Sequence, residues 1–287
     1  MEVRNTTEQE YRKRINLVVD YINKHLNEEM NMLFLAEISN LSPFHFHRIT
    51  RAFLNEPIGA YITRLRLEKA AEMLRFTKLQ IQDIAYDVGY DLPSSLSKAF
   101  RLYFNISPTE FRNNKNFMIM KTEKLNENEL HLKAPKIVQL PEKSVIYVQM
   151  TGDYKSLNYE EAWKKLWGQV KEQKLFTAGI EHIGLSHDDP NVTDQDKLRY
   201  DACLVIHKAA KPIGEIGTKQ IDGGKFACFL YQGAYSKLDE VYNYIFYNWL
   251  INSGMELRDA PCFEKYISNP NQVEESKLKT EIYIPLK

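Results

Sequence analysis

Two histidines one residue apart, His45 and His47, stand beside two arginines in the stretch SPFHFHRITRAF, residues 42–53. Paired imidazoles can ligate a metal ion, whereas imidazole and guanidinium groups together can hydrogen-bond to nucleic-acid bases. The alternation Phe-His-Phe-His would put both histidines on one side of a strand. On a helix, residues two apart point about 200° apart and cannot share an ion. The type of secondary structure therefore decides between the two chemistries.

The stretch fits a helix better than a strand. Ser42 and Pro43 give an N-cap followed by proline at the first helical position. One face of the helix then carries Phe46, Ile49, Thr50 and Phe53, and the opposite face carries Phe44, His47, Arg48 and Arg51, with His45 at the edge. A metal site at these histidines is disfavoured, which leaves a solvated polar face or a surface that contacts bases.

The first part of the chain, residues 8–112, has helical spacing of apolar residues and repeats internally. At a shift of 50 residues, Phe46 corresponds to Leu96, Arg48 to Lys98, Arg51 to Arg101 and Asn55 to Asn105. The second helix of this repeat turns outward Ser94, Ser97, Lys98 and Arg101. Two helices that present cations and short polar groups after matched turns suit the reading of base edges in a major groove.

The second part of the chain changes to the alternation typical of strands. Strands are predicted at 144–150, 200–207, 225–231, 262–267 and 280–286, with helices at 159–174 and 236–253. Residues 152–157 match residues 233–238 at a shift of 81, and each segment lies between a strand and an aromatic-rich helix. This repeat predicts a pseudo-twofold α+β domain.

Glu264 is the acidic residue of the second part whose surroundings point to binding. It shares a predicted strand face with Cys262 and Tyr266, in a region dense in tryptophan and tyrosine. A carboxylate among aromatic rings suits an organic cation, through charge and cation–π attraction. Equally, the rings can form a core while the carboxylate pairs with a surface lysine, and the residues alone leave both open.

Composition and motifs argue against several other classes of protein. The 287 residues carry a formal net charge of zero, so any basic surface is local. We expect no catalytic residue, metal or cofactor. The three cysteines are isolated, and the sequence has no nucleophile elbow, zinc-protease signature or phosphate loop. His182 and His187 flank an Asp-rich loop that is best interpreted as solvated surface. With neither a signal peptide nor a bilayer-spanning apolar run, we expect a cytoplasmic protein without a membrane partner.

A family resemblance is carried by LSPFHFHRITRAFLNEPIGAYITRLRLEKAAEML and IQDIAYDVGYDLPSSLSKAFRLYFNISPTEFR. These segments resemble the double helix-turn-helix DNA-binding domain of AraC/XylS-type transcription regulators. The resemblance implies two recognition helices in successive major-groove segments, joined by a long helix at about residues 58–74. By position, the implied base contacts are Phe44, His47, Arg48, Ser94, Ser97 and Lys98, whereas His45, Arg51 and Arg101 lie nearer the DNA backbone.

A second resemblance is carried by PEKSVIYVQMTGDY, RYDACLVI, FACFLYQGAY, PCFEKYISNP and TEIYIPL. In this order they resemble the GyrI-like effector-binding domain. That resemblance implies duplicated strand-helix-strand-strand units with a cleft between them for a small, lipophilic or cationic ligand. It places Glu264 in the cleft and implies, as wall residues, Tyr147, Trp167, Tyr235, Tyr266 and Tyr283.

The sequence thus predicts a multidomain protein. Its parts are an all-α double helix-turn-helix domain at 8–113, a linker at 114–131 and an α+β effector-binding domain at 132–287. The predicted function is sequence-specific regulation of transcription, with double-stranded operator DNA, RNA polymerase and a small-molecule effector as partners. Two alternatives stay open: an effector-free regulator that uses the C-terminal domain for protein contacts, and a GyrI-like hydrolase fused to a DNA-binding domain.

Overall fold

The computed structural model describes residues 2–114, 130–258 and 260–287, with side chains from Glu8 onward. The chain divides into two compact units, Met1–Ile119 with Pro212–Gly217 and Met120–Lys211 with Thr218–Lys287. Most of the predicted linker at 114–131 lies outside the described residues, and the predicted domain boundaries stay a prediction.

The first unit is helical. Its helices are α1 (Glu2–Lys24), α2 (Met32–Ile38), α3 (Pro43–Leu54), α4 (Ile58–Phe76), α5 (Ile81–Asp87), α6 (Pro93–Phe104) and α7 (Pro108–Asn113). The internal repeat is confirmed, because α2–α3 and α5–α6 are each a short helix, a turn and a 12-residue helix. Both 12-residue helices end at an asparagine in the left-handed region, Asn55 with φ 57° and Asn105 with φ 62°.

The core of the helical unit forms where α1 packs on the first helix-turn-helix and on α4. Apolar residues three or four apart along α1 and α4 supply it, as the sequence periodicity predicted. The buried members include Ile15, Val18, Ile22, Leu35, Phe46, Ile62 and Leu65. The polar side of α3 is left exposed by this packing.

The second unit is built on one eight-stranded sheet. Its strands are β1 (Lys136–Leu140), β2 (Lys143–Thr151), β3 (His182–Ser186), β4 (Arg199–Val205), β5 (Ile216–Ile221), β6 (Gly224–Gln232), β7 (Cys262–Tyr266) and β8 (Lys279–Leu286). Its helices are α8 (Tyr159–Glu172) and α9 (Leu238–Tyr244), which continues through a π-helical turn (Ile245–Leu250) into α10 (Ile251–Ser253). The predicted α+β class is confirmed.

The sheet order shows the duplication directly. The strand order across the sheet is β1-β6-β8-β7-β3-β4-β2-β5. If β1–β4 are taken as the first repeat and β5–β8 as the second, each strand and its counterpart in the other repeat lie at equal distances from the two edges of the sheet. Only Pro141-Glu142 separates β1 from β2, and only Asp222-Gly223 separates β5 from β6, yet neither pair forms a hairpin. Instead, β1 pairs with β6, and β5 lies beside β2, so the two repeats exchange their first strands.

The two faces of the sheet differ in what covers them. On the helical face, Ile282 and Phe229 pack against Val241 and Ile245. The opposite face carries its own buried cluster, which includes Tyr147, Ile183, Cys203, Phe263 and Tyr283. Because side chains alternate along a strand, each residue's register assigns it to one face.

Candidate functional site

The first recognition helix predicted from the sequence is α3, and its local structure follows the sequence signals. Ser42 is the N-cap, its hydroxyl accepts a hydrogen bond from the His45 backbone at 3.3 Å, and Pro43 begins the helix. Thr50 is buried and donates to the Phe46 carbonyl at 2.7 Å. The predicted helix is confirmed, and a helix holds the His45 and His47 side chains apart.

The predicted DNA-contacting residues of α3 are all exposed, with His45 at the edge of the outward face. They are Phe44, His45, His47, Arg48 and Arg51. Phe44 is 68% exposed, and the Arg48 guanidinium lies 5.6 Å from the centre of its ring. A cation stacked on a ring one turn away loses less rotamer freedom when it binds, so Phe44 pre-orients Arg48 toward solvent.

The second predicted recognition helix, α6, repeats this arrangement with shorter side chains. Leu96 and Phe100 are buried against the helical core. The outward positions are Ser94, Lys98 and Arg101, which are exposed, and Ser97, which is half-buried. Arg101 lies 3.8 Å from Glu110 of α7, with both side chains well exposed. Such an exposed pair is weak, so Arg101 stays accessible to a phosphate.

Glu264 forms the centre of the second candidate site. Its carboxylate lies on the helical face of β7, where the side chain is only 4% exposed. The Tyr266 hydroxyl donates to Glu264 Oε2 at 2.5 Å. Because Tyr266 uses its proton in that bond, Tyr200 is the donor in the 2.6 Å bond between the two tyrosine hydroxyls. The carboxylate is therefore held at the end of a chain of tyrosine hydroxyls.

The charge of this carboxylate is poorly compensated. Burial raises the pKa of Glu264 above its usual range, nearby Asp239 acts in the same direction, and the hydroxyls of Tyr266 and Tyr242 lower it in part. Within the described ranges, no lysine or arginine pairs with Glu264; its neighbour Lys265 points to the opposite face and pairs with Glu181 at 3.0 Å. The interpretation of Glu264 as half of a surface ion pair is therefore not supported.

Aromatic rings surround the carboxylate on several sides. Tyr235 lies edge-on to Tyr266 with ring centres 5.3 Å apart, and Trp163 of α8 lies 6.1 Å from the same ring. Tyr159 packs edge-on against Tyr200 at 5.1 Å. Burial and the neighbouring Glu264 raise the pKa of Tyr235 to about 12. The site thus combines an uncompensated carboxyl with electron-rich rings.

The structure brings some of the predicted wall residues to Glu264 and not others. Tyr235 and Tyr266 lie in its ring of aromatics. Trp167, one turn beyond Trp163, stacks on Phe176 and donates from Nε1 to His182 Nε2 at 3.0 Å. Trp167 therefore lies beside the site, next to the histidine that Trp163 also contacts.

Tyr147 and Tyr283 are the two predicted wall residues that the structure separates from Glu264. Tyr283 pairs with Phe263, the residue before Glu264, so it points to the opposite face and stacks on the Phe263 ring at 4.5 Å. Tyr147 pairs with Cys203 in the same buried cluster. The predicted grouping is corrected here, because the sheet lies between these rings and the carboxylate.

Several residues at the site were not predicted as site residues. They are Tyr159, Trp163, Tyr200 and Tyr242. The spacing of Tyr159 and Trp163, four apart on one helix, was a usable signal because it puts both rings on one side. Tyr200 reaches the site only through the antiparallel order of β4, β3 and β7, which no local pattern shows.

No helix within the described ranges is both long and apolar enough to cross a membrane. Groups of three or more potential metal ligands are also absent from the described residues.

Comparison with known families matches both parts of the chain. Residues 133–287 match the GyrI-like small molecule binding domain, and residues 35–114 match a helix-turn-helix domain. The first match covers more than half of the chain.

Several curated proteins resemble the N-terminal part. Regulatory protein SoxS of Salmonella typhimurium is 33% identical over 98 residues, which are 34% of this chain and 92% of SoxS. The HTH-type transcriptional activator AarP of Providencia stuartii is also 33% identical over 98 residues, which are 34% of this chain and 73% of AarP. Among solved structures, the cryo-EM structure of an EcmrR–DNA complex matches 90% of this chain and 99% of that chain, with 16% identity and a TM-score of 0.49.

The matched ranges fall on the two parts of the chain that carry the two candidate sites. The chain therefore belongs to the AraC-type DNA-binding transcription regulators, as a member whose C-terminal part is a GyrI-like small molecule binding domain.

Proposed function

We propose that this protein is a one-component regulator that binds operator DNA with α3 and α6 and senses a lipophilic or cationic effector at Glu264. In this proposal, effector binding changes transcription through contacts of the DNA-bound protein with RNA polymerase. The observation that carries the effector assignment is the buried Glu264 carboxylate, which lies among aromatic rings without a cationic partner in the described structure.

The DNA-binding part of the proposal is supported by the matched outer faces of α3 and α6. Arginine and lysine donate to guanine edges in the major groove, while serine and histidine can donate or accept. We assign hydrogen bonds to base edges to His47, Arg48, Ser94, Ser97 and Lys98, and an apolar contact with a base, such as a thymine methyl group, to Phe44. We assign phosphate contacts, which fix the register of the protein on the duplex, to His45, Arg51 and Arg101.

Selection of binding sites from random-sequence duplexes tests this assignment. We expect a bipartite operator whose two parts face the same side of the duplex, about 10 base pairs apart from centre to centre. Arg48→Ala should relax base preference in one part, and Lys98→Ala in the other. Lys164→Ala, which removes an exposed cation of α8, is the control and should leave the selected sequence unchanged. Enrichment of no sequence at all would contradict the proposal.

The effector part is supported by the chemistry of the aromatic site. An organic cation gains coulombic attraction to the carboxylate and cation–π attraction to the rings, and both grow as water is displaced. A neutral ligand gains only the burial of apolar surface. The site therefore favours cations over neutral molecules of the same shape.

A melting-shift screen with matched compounds tests the effector assignment. The set should contain aromatic dyes of similar size that are cationic, neutral or anionic. We expect cationic dyes to raise the melting temperature of the full chain, neutral dyes to raise it less and anionic dyes to leave it unchanged. If no compound of any charge shifts the transition, the effector-free interpretation is favoured instead.

A further inference from the structure

Helix α4 carries a buried charged network that joins the two helix-turn-helix motifs. Arg64 and Glu68, one turn apart on α4, are both nearly inaccessible to solvent, with 5% and 7% exposure. Arg64 Nη1 donates to Glu68 Oε2 at 3.1 Å, and Arg64 Nη2 donates to Glu56 Oε1 at 2.7 Å. Glu56 belongs to the turn that directly follows α3. The end of the first recognition helix is thus tied to α4.

The same network reaches the second recognition helix. Tyr103, in the last turn of α6, donates from its hydroxyl to Glu68 Oε1 at 3.2 Å. Glu68 therefore accepts hydrogen bonds from Arg64, through both of its carboxylate oxygens, and from Tyr103 of α6. An unbroken chain of polar contacts runs from the end of α3 through Glu56, Arg64, Glu68 and Tyr103 to the end of α6.

A second arginine, on another side of α4, ties the segment before the first motif to the turn of the second. Arg66 is two residues from Arg64, so its side chain leaves the helix about 200° away. Its guanidinium donates to the carbonyls of Leu26 and Glu28, between α1 and α2, and to the carbonyl of Gly89, between α5 and α6. Gly89 has φ +81°, and a Cβ there would lie 2.7 Å from Arg66 Nη2. The close approach thus requires glycine.

These contacts are directional, and that is what distinguishes them from the apolar packing around α4. The hydrophobic effect has no preferred direction, whereas a buried ion pair that loses one contact leaves an unsatisfied charge. The hydrogen bonds at the two ends of the network, to Glu56 after α3 and from Tyr103 of α6, form together in one relative orientation of α3 and α6. It therefore fixes an angle and a distance between the two helices.

We propose that Glu68 is a positioning residue that sets the spacing between the two parts of the operator. The proposal rests on the proposed function, in which both α3 and α6 read DNA. Adding one base pair between the parts moves them apart by about 3.4 Å and rotates them by about 35°. A rigid pair of helices cannot follow that change, whereas a loosened pair can.

Tyr103→Phe and Glu68→Gln test the role of this residue. Each keeps the shape of the side chain: Tyr103→Phe removes the hydroxyl that donates to Glu68, and Glu68→Gln removes the carboxylate charge that pairs with Arg64. Dissociation constants are measured for the selected operator and for versions with one base pair inserted or deleted between its parts. We expect the preference of the wild type for the selected spacing to fall roughly three- to tenfold in both variants.

Tyr86→Phe is the matched control. The Tyr86 hydroxyl lies on the exposed side of α5 and accepts one long hydrogen bond from Gln82, at 3.4 Å. This variant should keep the full spacing preference. Melting curves of all variants show whether the fold is retained, and a loss of stability alone would weaken binding to all three duplexes by the same factor.

The outcomes separate this inference from the proposed function. If the wild type selects a bipartite operator and both network variants keep its spacing preference, or lose affinity equally for all spacings, the role of Glu68 is overturned. If the wild type selects a site with only one part, the use of two recognition helices is overturned, and the inference with it.

Discussion

Replacing Glu264 by glutamine is expected to weaken the binding of a cationic ligand strongly while leaving a neutral ligand almost unaffected. At about 4 Å and an effective dielectric constant of about 20, a cation and a carboxylate attract each other by about 4 kcal/mol. Part of this energy is used to ionise Glu264, because burial raises its pKa. The net loss should be about 2–4 kcal/mol, a roughly 30- to 900-fold weaker affinity.

The pH dependence provides a second signature of the same carboxylate. Cation binding favours the ionised form, so the complex releases a proton wherever free Glu264 is protonated. Affinity for the cation should therefore rise with pH from the usual glutamate range of about 4.3 up to the raised pKa of the free protein, and then level off. In Glu264→Gln, the affinity for the cation should no longer rise with pH over this range.

The free energy of unfolding of the ligand-free protein should fall as pH rises, whereas the affinity for the cation increases. A carboxyl whose folded pKa lies above its unfolded value contributes stability that is fully present below the unfolded pKa and is lost as pH rises through the folded pKa. The ligand-free wild type should thus lose stability with rising pH relative to Glu264→Gln. The glutamine variant should melt higher, by a margin that is larger at pH 8 than at pH 5.

Isothermal titration calorimetry at several pH values, with a cationic aromatic dye and its neutral analogue, measures these effects. Glu281→Gln is the control, because Glu281 lies on the opposite face and accepts a hydrogen bond from Tyr283 at 2.7 Å. Equal affinity of the wild type and Glu264→Gln for the cation would refute the reasoning. So would a cation affinity that falls as pH rises toward neutrality.

The other predictions concern DNA binding and stability. Arg48→Ala should cost about 1–3 kcal/mol in operator affinity, measured by fluorescence anisotropy, and an unchanged affinity would remove Arg48 from the base contacts. Lys219→Met should lower the free energy of unfolding by about 3–5 kcal/mol in urea titrations, because it removes the lysine that pairs with the fully buried Asp201 carboxylate. Asn105→Ala should cost about 1 kcal/mol and Asn105→Gly should not, because φ at this position is 62°; an equal effect of the two in thermal melting would argue against a conformational cause.

Local signals predicted α3 correctly. Ser42, Pro43 and the spacing of Phe46, Ile49 and Phe53 are short-range features of a helix, and the helix forms where they indicate. By contrast, β1, β3 and β5 were not predicted as strands. They have only five or six residues each. Their place in the sheet depends on partners far away in the sequence.

The site could be predicted only in part for the same reason. Alternation along β7 places Glu264 and Tyr266 on one face, and alternation along β8 places Glu281 and Tyr283 on one face. Whether those faces coincide depends on the register between the strands. Phe263 stands opposite Tyr283, a pairing of residues 20 positions apart that neither strand encodes alone. A shift of one residue would have brought Tyr283 to the carboxylate.

The exchange of first strands between the two repeats has a consequence for how the C-terminal domain folds. Lys136 pairs with Cys228, 92 positions later in the chain (228 − 136), so β1 finds its partner only after most of the domain has been synthesised. Such distant pairings slow folding, since the entropy of closing a long loop is lost before any contact forms. Neither repeat can complete its own half of the sheet, so a fragment that ends before β6 would expose the unpaired β1. The domain should therefore fold in one cooperative step late in translation. The connection between β5 and β6 passes close to the connection between β1 and β2 at Gly223, where a Cβ would lie 2.6 Å from the Leu140 carbonyl oxygen.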